Sequence, residues 1–297
     1  MKISIETDEI SADPETAIEL GTRWGVHDFE LRGFFTDRVP RLSEYQRQHL
    51  RDALDEYDAH IVAIGPGLFK SAFPPGRAPR MPLGWMERSA YELWSESQRL
   101  LEVHLHELLP ASLDYANELG ARLLVIFGFD RAGSPPGPAP KEVLNCLRYA
   151  AERAHSAGIQ IAIENEDGFW ADTGRRTAAL VRAVNHPALA VNWDPGNAFS
   201  AGDEPFPEGY QHLRGLVRHV HFKDAVRAPD GTVRQVVDGQ IRWADQIRAL
   251  EEDGYDGFIS VETHMRPKVE SGRACLKRLQ AMIEATHTVH QLKPDFS

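Results

Sequence analysis

Short apolar runs recur along the chain, separated by stretches in which apolar residues return every three or four positions. Eight runs stand out: ISI (3–5), HDFELRG (27–33), HIVAIGPG (60–67), RLLVIFGFD (122–130), IQIAIEN (159–165), LAVNWDPGN (189–197), VRHVHFKD (217–224) and FISVETH (258–264). Runs this short, bounded by Gly, Pro, Asn or Asp, predict β-strands. Between them, PETAIELGTRWG (14–25), LSEYQRQHLRDALDEYD (42–58), LLPASLDYANELGA (108–121) and KEVLNCLRYAAERAHSAG (141–158) carry helical spacing. Gly120, Gly158 and Gly254 stand where helices would close in a left-handed residue. Strand–helix alternation throughout predicts a parallel sheet, and eight units predict a single (β/α)8 TIM barrel over residues 1–297.

One connection breaks the rhythm. The segment GPGLFKSAFPPGRAPRMPLGWMERS (65–89), after the third run, is rich in Pro, Gly and aromatic residues. Connections that long inside a compact domain serve a function or lack order. Phe69, Phe73 and Trp85 give this one an apolar character, so it is expected to form a lid over the barrel mouth. The alternatives are a packed surface excursion or a homodimer contact. FDRAGSPPGPAP (129–140) forms a second, shorter mouth loop.

Successive strand residues face opposite sides, so parity separates what each run carries inward from what it packs outward. Gln160, Ala162 and Glu164 oppose Ile159, Ile161 and Ile163, while Ala190, Asn192 and Asp194 oppose Leu189, Val191 and Trp193. His219, His221 and Lys223 oppose Val220 and Phe222; Phe258, Ser260 and Glu262 oppose Ile259 and Val261. Glu164, Asp194, His221 and Glu262 therefore share the inward side, at intervals of 30, 27 and 41 residues, each at or near the end of its run. Glu30 and Arg32 alternate with Phe29 and Leu31 in the same sense. In a barrel of this kind chemistry sits at the carboxyl ends of the strands.

An inward carboxylate is costly unless paired or bound to a metal. Three of them with one imidazole are expected to hold one divalent ion, rather than to be neutralised by Lys223 and Arg32 alone. Oxygen-rich coordination with a single imidazole suits Mn²⁺ first, with Mg²⁺, Co²⁺ or Zn²⁺ as alternatives. Such an ion can take the carbonyl oxygen and adjacent hydroxyl of a sugar and stabilise an enediolate-like oxyanion. Glu164 and Glu262, arriving from the fifth and eighth strands, are the expected acid/base pair that moves a carbon-bound proton.

Composition narrows the partners. A formal net charge of −11 argues against nucleic acid, whose phosphates call for clustered Lys and Arg. Two cysteines, Cys146 and Cys275, cannot build a disulfide framework and are read as reduced thiols in helices. MKISIETDEIS enters a strand pattern directly and lacks the apolar core of a secretory signal, and no stretch reaches the roughly 18 apolar residues of a membrane span. A cytoplasmic protein with no membrane partner is expected.

Four motifs, IAIEN (161–165), NWDPGN (192–197), HVHFKD (219–224) and DGYDGFISVET (253–263), occur in this order over the second half. With them the chain resembles the xylose isomerase-like TIM-barrel superfamily, in the sugar and sugar-phosphate isomerase/epimerase branch that includes ketose 3-epimerases, hydroxypyruvate isomerase and inosose dehydratase. The resemblance implies that Glu164, Asp194, His221 and Glu262 are metal ligands. As in the ketose epimerases, Glu164 and Glu262 would also transfer the proton. It places Arg227 where an arginine contacts substrate, six residues after the ligating histidine. Asn197 stands where the epimerases commonly carry a substrate-contacting histidine, and Trp170 where they carry a second glutamate.

The expected activity is therefore a metal-dependent sugar isomerase or epimerase acting on a small sugar or keto-polyol, with Asn197, Lys223 and Arg227 as candidate substrate contacts. The alternatives are a dehydratase acting on an inosose or keto-sugar and, in another class, a non-catalytic sugar-binding or partner subunit. Endonuclease IV-type DNA repair shares the barrel but needs extra histidines from early strands, which FELRG, AIGPG and VIFGFD do not supply. Lys223 either binds a substrate oxygen or neutralises Glu262, and Arg32 and Arg227 either recognise an anion or form mouth salt bridges. His219 is expected to be a hydrogen-bonded core imidazole, His104 and His106 solvated helix residues, and Trp193 outward packing.

Overall fold

The computed structural model describes residues 1–74 and 85–291. Eight parallel strands close into a barrel: Lys2–Glu6 (β1), Asp28–Leu31 (β2), His60–Ile64 (β3), Leu123–Phe127 (β4), Gln160–Glu164 (β5), Leu189–Trp193 (β6), Val217–Phe222 (β7) and Phe258–Val261 (β8). The ring closes where β8 pairs with β1, Ile3 beside Ile259 and Ile5 beside Val261. This is the (β/α)8 TIM barrel expected from the strand–helix pattern. Each strand coincides with one of the eight apolar runs, and β1 extends one residue past its run to include Glu6.

Helices Pro14–Arg23, Glu44–Glu56, Lys141–Ser156, Gly174–Val184, Trp243–Glu252 and Lys268–Gln291 lie between and after the strands. Glu44–Glu56 starts on a reciprocal cap: Ser43 Oγ accepts from the Gln46 backbone, and Gln46 Oε1 accepts from the Ser43 backbone. The helix after β3 is longer than its periodicity indicated. It runs from Trp85 to Val103, passes through a π-helical turn at His104–Leu108 and continues as Leu109–Glu118.

The outward strand residues Phe29, Leu31, Ile161, Ile163, Val191, Trp193, Val220, Phe222, Ile259 and Val261 form one continuous apolar core with the helices. Inside the barrel the wall divides. Ala63, Leu123, Val125 and Ala162, on β3 to β5, make a small apolar plug. The remaining inner wall carries Ser4, Glu6, Glu30, Asn192, His219, His221 and Ser260, all buried. A lumen filled on one side by charged and hydrogen-bonding groups is expensive in folding terms and signals chemistry at its rim.

The segment after β3 does not hang free over the mouth where it is described. Leu68 and Phe69 are buried, the Phe69 ring lies 4.6 Å from that of Phe129, and the Asp130 backbone N–H donates to the Ser71 carbonyl. Residues 65–74 therefore form a packed excursion against the loop after β4. Residues 75–84, where the rest of the expected lid falls, lie outside the described residues, and Trp85 already belongs to the following helix. Cys146 and Cys275 are free thiols, partly and fully buried. Among the described residues no helix is long and apolar enough to cross a membrane.

Candidate active site at the barrel mouth

The four carboxyl-end groups converge. Glu164, Asp194, His221 and Glu262 are all buried, and each offers one ligand atom such that the four atoms lie within 4.8 Å of one another. Local structure fixes each one. Asp194 is the N-cap of the short helix Pro195–Ser200: its Oδ1 accepts from the Asn197 backbone at 2.8 Å, which leaves Oδ2 for the cavity. Asn165 clamps that turn to the end of β5 by donating to the Asp194 carbonyl and accepting from the Asp194 backbone. Gly196 is required here, because a Cβ would stand 2.9 Å from the Lys223 side chain.

His221 is oriented from below. Its Nε2 faces both oxygens of Glu30 at 3.1 and 3.3 Å, and His219 Nε2 meets the same carboxylate at 2.9 Å. Nδ1 of His221 is thereby turned toward Glu262 Oε2 at 3.2 Å and Glu164 Oε1 at 3.6 Å. A carboxylate behind a ligating imidazole fixes its tautomer and ring plane. Burial alone would lower the pKa of His221, but Glu30, Glu164 and Glu262 hold it well above its usual range.

Glu262 gathers cations. Oε1 meets Arg32 Nη1 at 2.6 Å and His264 Nε2 at 2.9 Å, and Oε2 lies 2.8 Å from Lys223 Nζ. Burial works to raise its pKa, yet Lys223 and His221 hold it well below the usual carboxylate range. Glu164 has less support: Oε1 accepts from Asn197 Nδ2 at 2.9 Å. Lys223 Nζ also lies 2.9 Å from Asp194 Oδ2 and 3.1 Å from Asn197 Oδ1. Burial nevertheless pushes the Asp194 carboxyl up to about 6, with Lys223 the chief opposing influence.

The donor set fits a hard divalent ion. Asp194 Oδ2, His221 Nδ1 and Glu262 Oε2 are buried and make no hydrogen bond of acceptable geometry, in a wall where such atoms are normally satisfied. Five buried carboxylates (Glu6, Glu30, Glu164, Asp194, Glu262) face two fixed cations, Arg32 and Lys223, and one divalent ion would offset two of the three charges left over. Metal–oxygen bonds of about 2.1 Å set opposite ligands roughly 4.2 Å apart, so the observed spacing needs only a small contraction.

Of the candidate substrate contacts, Asn197 and Lys223 line a mouth cavity of about 260 Å³ together with Glu164, Glu262 and His221. Arg227 is not among its lining residues. It is exposed on the hairpin formed by Ala225–Arg227 and Val233–Gln235, where its guanidinium donates to the Phe199 and Gly231 carbonyls. Trp170 likewise borders other grooves and not this cavity. Trp193 is fully buried on the outer face and donates to Gln246, as its parity indicates. His104 corrects an expectation: it is not a solvated helix residue, because its Nδ1 accepts from the Phe69 backbone at 2.9 Å.

Sequence reasoning missed Glu6, Arg38, Lys70, Glu166 and His264, all of which line the cavity. The parity test would have found Glu6, which follows Lys2 and Ser4 inward. Arg32 holds Glu6 at 2.7 Å, Asp8 at 2.8 Å and Glu9 at 3.4 Å besides Glu262, so it is the mouth salt bridge of the two readings for that residue. Burial raises the Glu6 carboxyl well above its usual range despite Arg32.

Comparison with known proteins gives the family. The family model for the xylose isomerase-like TIM barrel matches residues 18–281, and the chain belongs to that family. It is similar to an inosose dehydratase of Lacticaseibacillus casei, 21% identical over 209 residues, covering 60% of this chain and 69% of that one. Among solved structures, the IOLI protein with a bound zinc atom superposes with a TM-score of 0.69 at 19% identity, covering 96% of this chain and 99% of that one. The D-allulose 3-epimerase of Methylomonas sp. in complex with D-allulose gives 0.67 at 17% identity, covering 95% and 97%.

Proposed function

We propose that this member of the xylose isomerase-like TIM-barrel family is a divalent-metal-dependent isomerase or epimerase of a small polyhydroxylated ketone. The carrying observation is the convergence of Glu164, Asp194, His221 and Glu262 at the mouth, three of them through buried atoms that make no hydrogen bond, two of those ion-paired to Lys223. A divalent ion bound there supplies charge stabilisation for the oxygens of the substrate as a carbon-bound proton leaves. Zinc in the IOLI protein and D-allulose in the Methylomonas epimerase support this reading through shared architecture.

The residues divide the work. Glu164, held by one amide and ringed by fewer cations than Glu262, removes the proton from the carbon beside the carbonyl. Glu262, entering from β8 and ionised in the resting site, passes to the same or the neighbouring carbon a proton drawn from the Lys223 ammonium, 2.8 Å from its Oε2. Asn197 and Lys223 position the substrate hydroxyls, and Asn197 ties both to Glu164. The cavity, at about 260 Å³ just below the ~300–1,000 Å³ range of small-molecule pockets, suits a ligand no larger than a monosaccharide.

A second reading, dehydration, is favoured by Glu166. This carboxyl lines the same cavity, and burial, with Glu164 adding to it, raises its pKa, so it can protonate a departing hydroxyl. The test incubates the Mn²⁺-loaded protein with ketoses, inososes and 3-keto-sugars in D₂O and follows them by NMR. Deuterium enters one carbon and the exchange disappears in Glu164→Gln; an absorbing enone product marks the dehydratase instead. Absence of exchange with every compound overturns the proposal in favour of a sugar-binding subunit.

A further inference from the structure

Arg38 is a cation at the mouth with no carboxylate partner among the described residues. It sits on a short hairpin, Gly33–Phe34 paired with Asp37–Arg38, that follows β2. The hairpin swings the guanidinium across the turn after β3, where Nε donates to the Gly65 carbonyl at 2.9 Å. Gly67, at φ +76°, keeps that turn bare: a Cβ there would stand 3.1 Å from Arg38 Nε. No other hydrogen bond and no carboxylate within 4.0 Å engages Arg38 among the described residues, although Arg32, six residues earlier, gathers four. The neighbouring Lys70 is engaged by Glu166 at 3.0 Å and by the Phe127 ring. Both η-nitrogens of Arg38 are therefore available, and the residue lines both the reaction cavity and the adjoining groove.

Resting on the reading of the site as one for small polyhydroxylated ketones, we infer that the substrate carries a carboxylate, which Arg38 receives at the rim of the reaction cavity. A guanidinium pinned through Nε offers two parallel N–H donors, the geometry that matches a planar carboxylate. Phosphate would call for converging backbone N–H groups, whereas the turn after β3 presents a carbonyl, that of Gly65, to Arg38; of the nearby cations Lys70 pairs with Glu166, and Arg266 lines only the adjoining groove. Arg38 is solvent-exposed, so its pairing with a ligand is not needed for folding.

The test measures ligand binding directly. Quinate, a carboxylated cyclohexane polyol, and myo-inositol, its uncharged counterpart, are titrated against the protein with and without Mn²⁺ by saturation-transfer NMR, with inorganic phosphate as competitor. Quinate is expected to bind about tenfold more tightly than myo-inositol, a preference lost in Arg38→Ala and only partly recovered in Arg38→Lys. Equal binding of the two compounds, or a preference that survives Arg38→Ala, overturns the inference. Phosphate binding more tightly than quinate overturns the carboxylate assignment as well. Because the readout is binding, an Arg38-dependent preference without deuterium exchange sinks the proton-transfer reading alone. Exchange without the preference sinks only the anion site.

Discussion

Replacing Lys223 with Met should weaken the metal-free protein and strengthen its hold on metal. The ammonium lies 2.9 Å from Asp194 Oδ2 and 2.8 Å from Glu262 Oε2, two of the unsatisfied donor atoms that the ion would take. Each such pair is worth roughly 4 kcal/mol of attraction at an effective dielectric near 20. Breaking a buried pair by removing one partner costs about 3–5 kcal/mol net. For a domain of this size that corresponds to a fall in Tm on the order of 10 °C. The same deletion removes a positive charge that a divalent ion must displace or tolerate, so Mn²⁺ should bind at least about tenfold more tightly, or about 1.4 kcal/mol. Thermal melts with and without Mn²⁺, paired with calorimetric titration, measure both effects. The Mn²⁺-induced rise in Tm should be several degrees larger in Lys223→Met than in the parent. Equal or weaker binding by the variant would refute the idea that Lys223 and the ion compete for the same oxygens.

Four further outcomes follow from the geometry. Glu30→Gln removes the charge that orients His221, and should lower Mn²⁺ affinity by about 10- to 100-fold while shifting the ¹⁵N resonances of His219 and His221; unchanged affinity would deny Glu30 that role. The Asp194 carboxyl, raised by burial to about 6, must lose its proton before it can ligate, so Mn²⁺ affinity should fall by up to about tenfold per unit as pH drops below 6. The sign reverses without metal: a folded-state pKa above the unfolded value stabilises at low pH, and that contribution, up to about 3 kcal/mol, is lost as pH rises from about 4 through 6, which melts across this window would register. His104→Ala strands the buried Phe69 backbone N–H and should cost about 1–3 kcal/mol in urea unfolding; an unchanged midpoint would show that the hydrogen bond is dispensable.

Much of this architecture was legible because strands have a strict two-residue period. The barrel and the inward side of Glu164, Asp194, His221 and Glu262 followed from parity within runs of three to nine residues. Legibility stopped where the chain leaves a regular period. Arg227 was placed by counting six residues past His221, but the count crosses a turn into a hairpin that carries the side chain away from the cavity. His104 was read from an α-helical spacing, and the π-helical turn at His104–Leu108 takes an extra residue and rotates that face toward Phe69. Arg38 lies on a two-residue strand with no pattern to read, and its environment is set by residues 27 and more positions away. Glu6 was missed by one position at the strand's end.

The divided inner wall bears on how the molecule can change over generations. On the plug side, Ala63, Leu123, Val125 and Ala162 pack on one another as an apolar cluster, so single substitutions of similar volume can drift there. On the other side Glu6, Glu30, Arg32, His219, His221, Lys223 and Glu262 form one chain of mutual charge compensation. Losing any member abandons a neighbour's charge away from water. That half of the lumen can be rewritten only by several replacements arriving together, which makes it the slow-changing half of the barrel, while the hairpin bearing Arg38, outside the strands, remains free to vary one residue at a time.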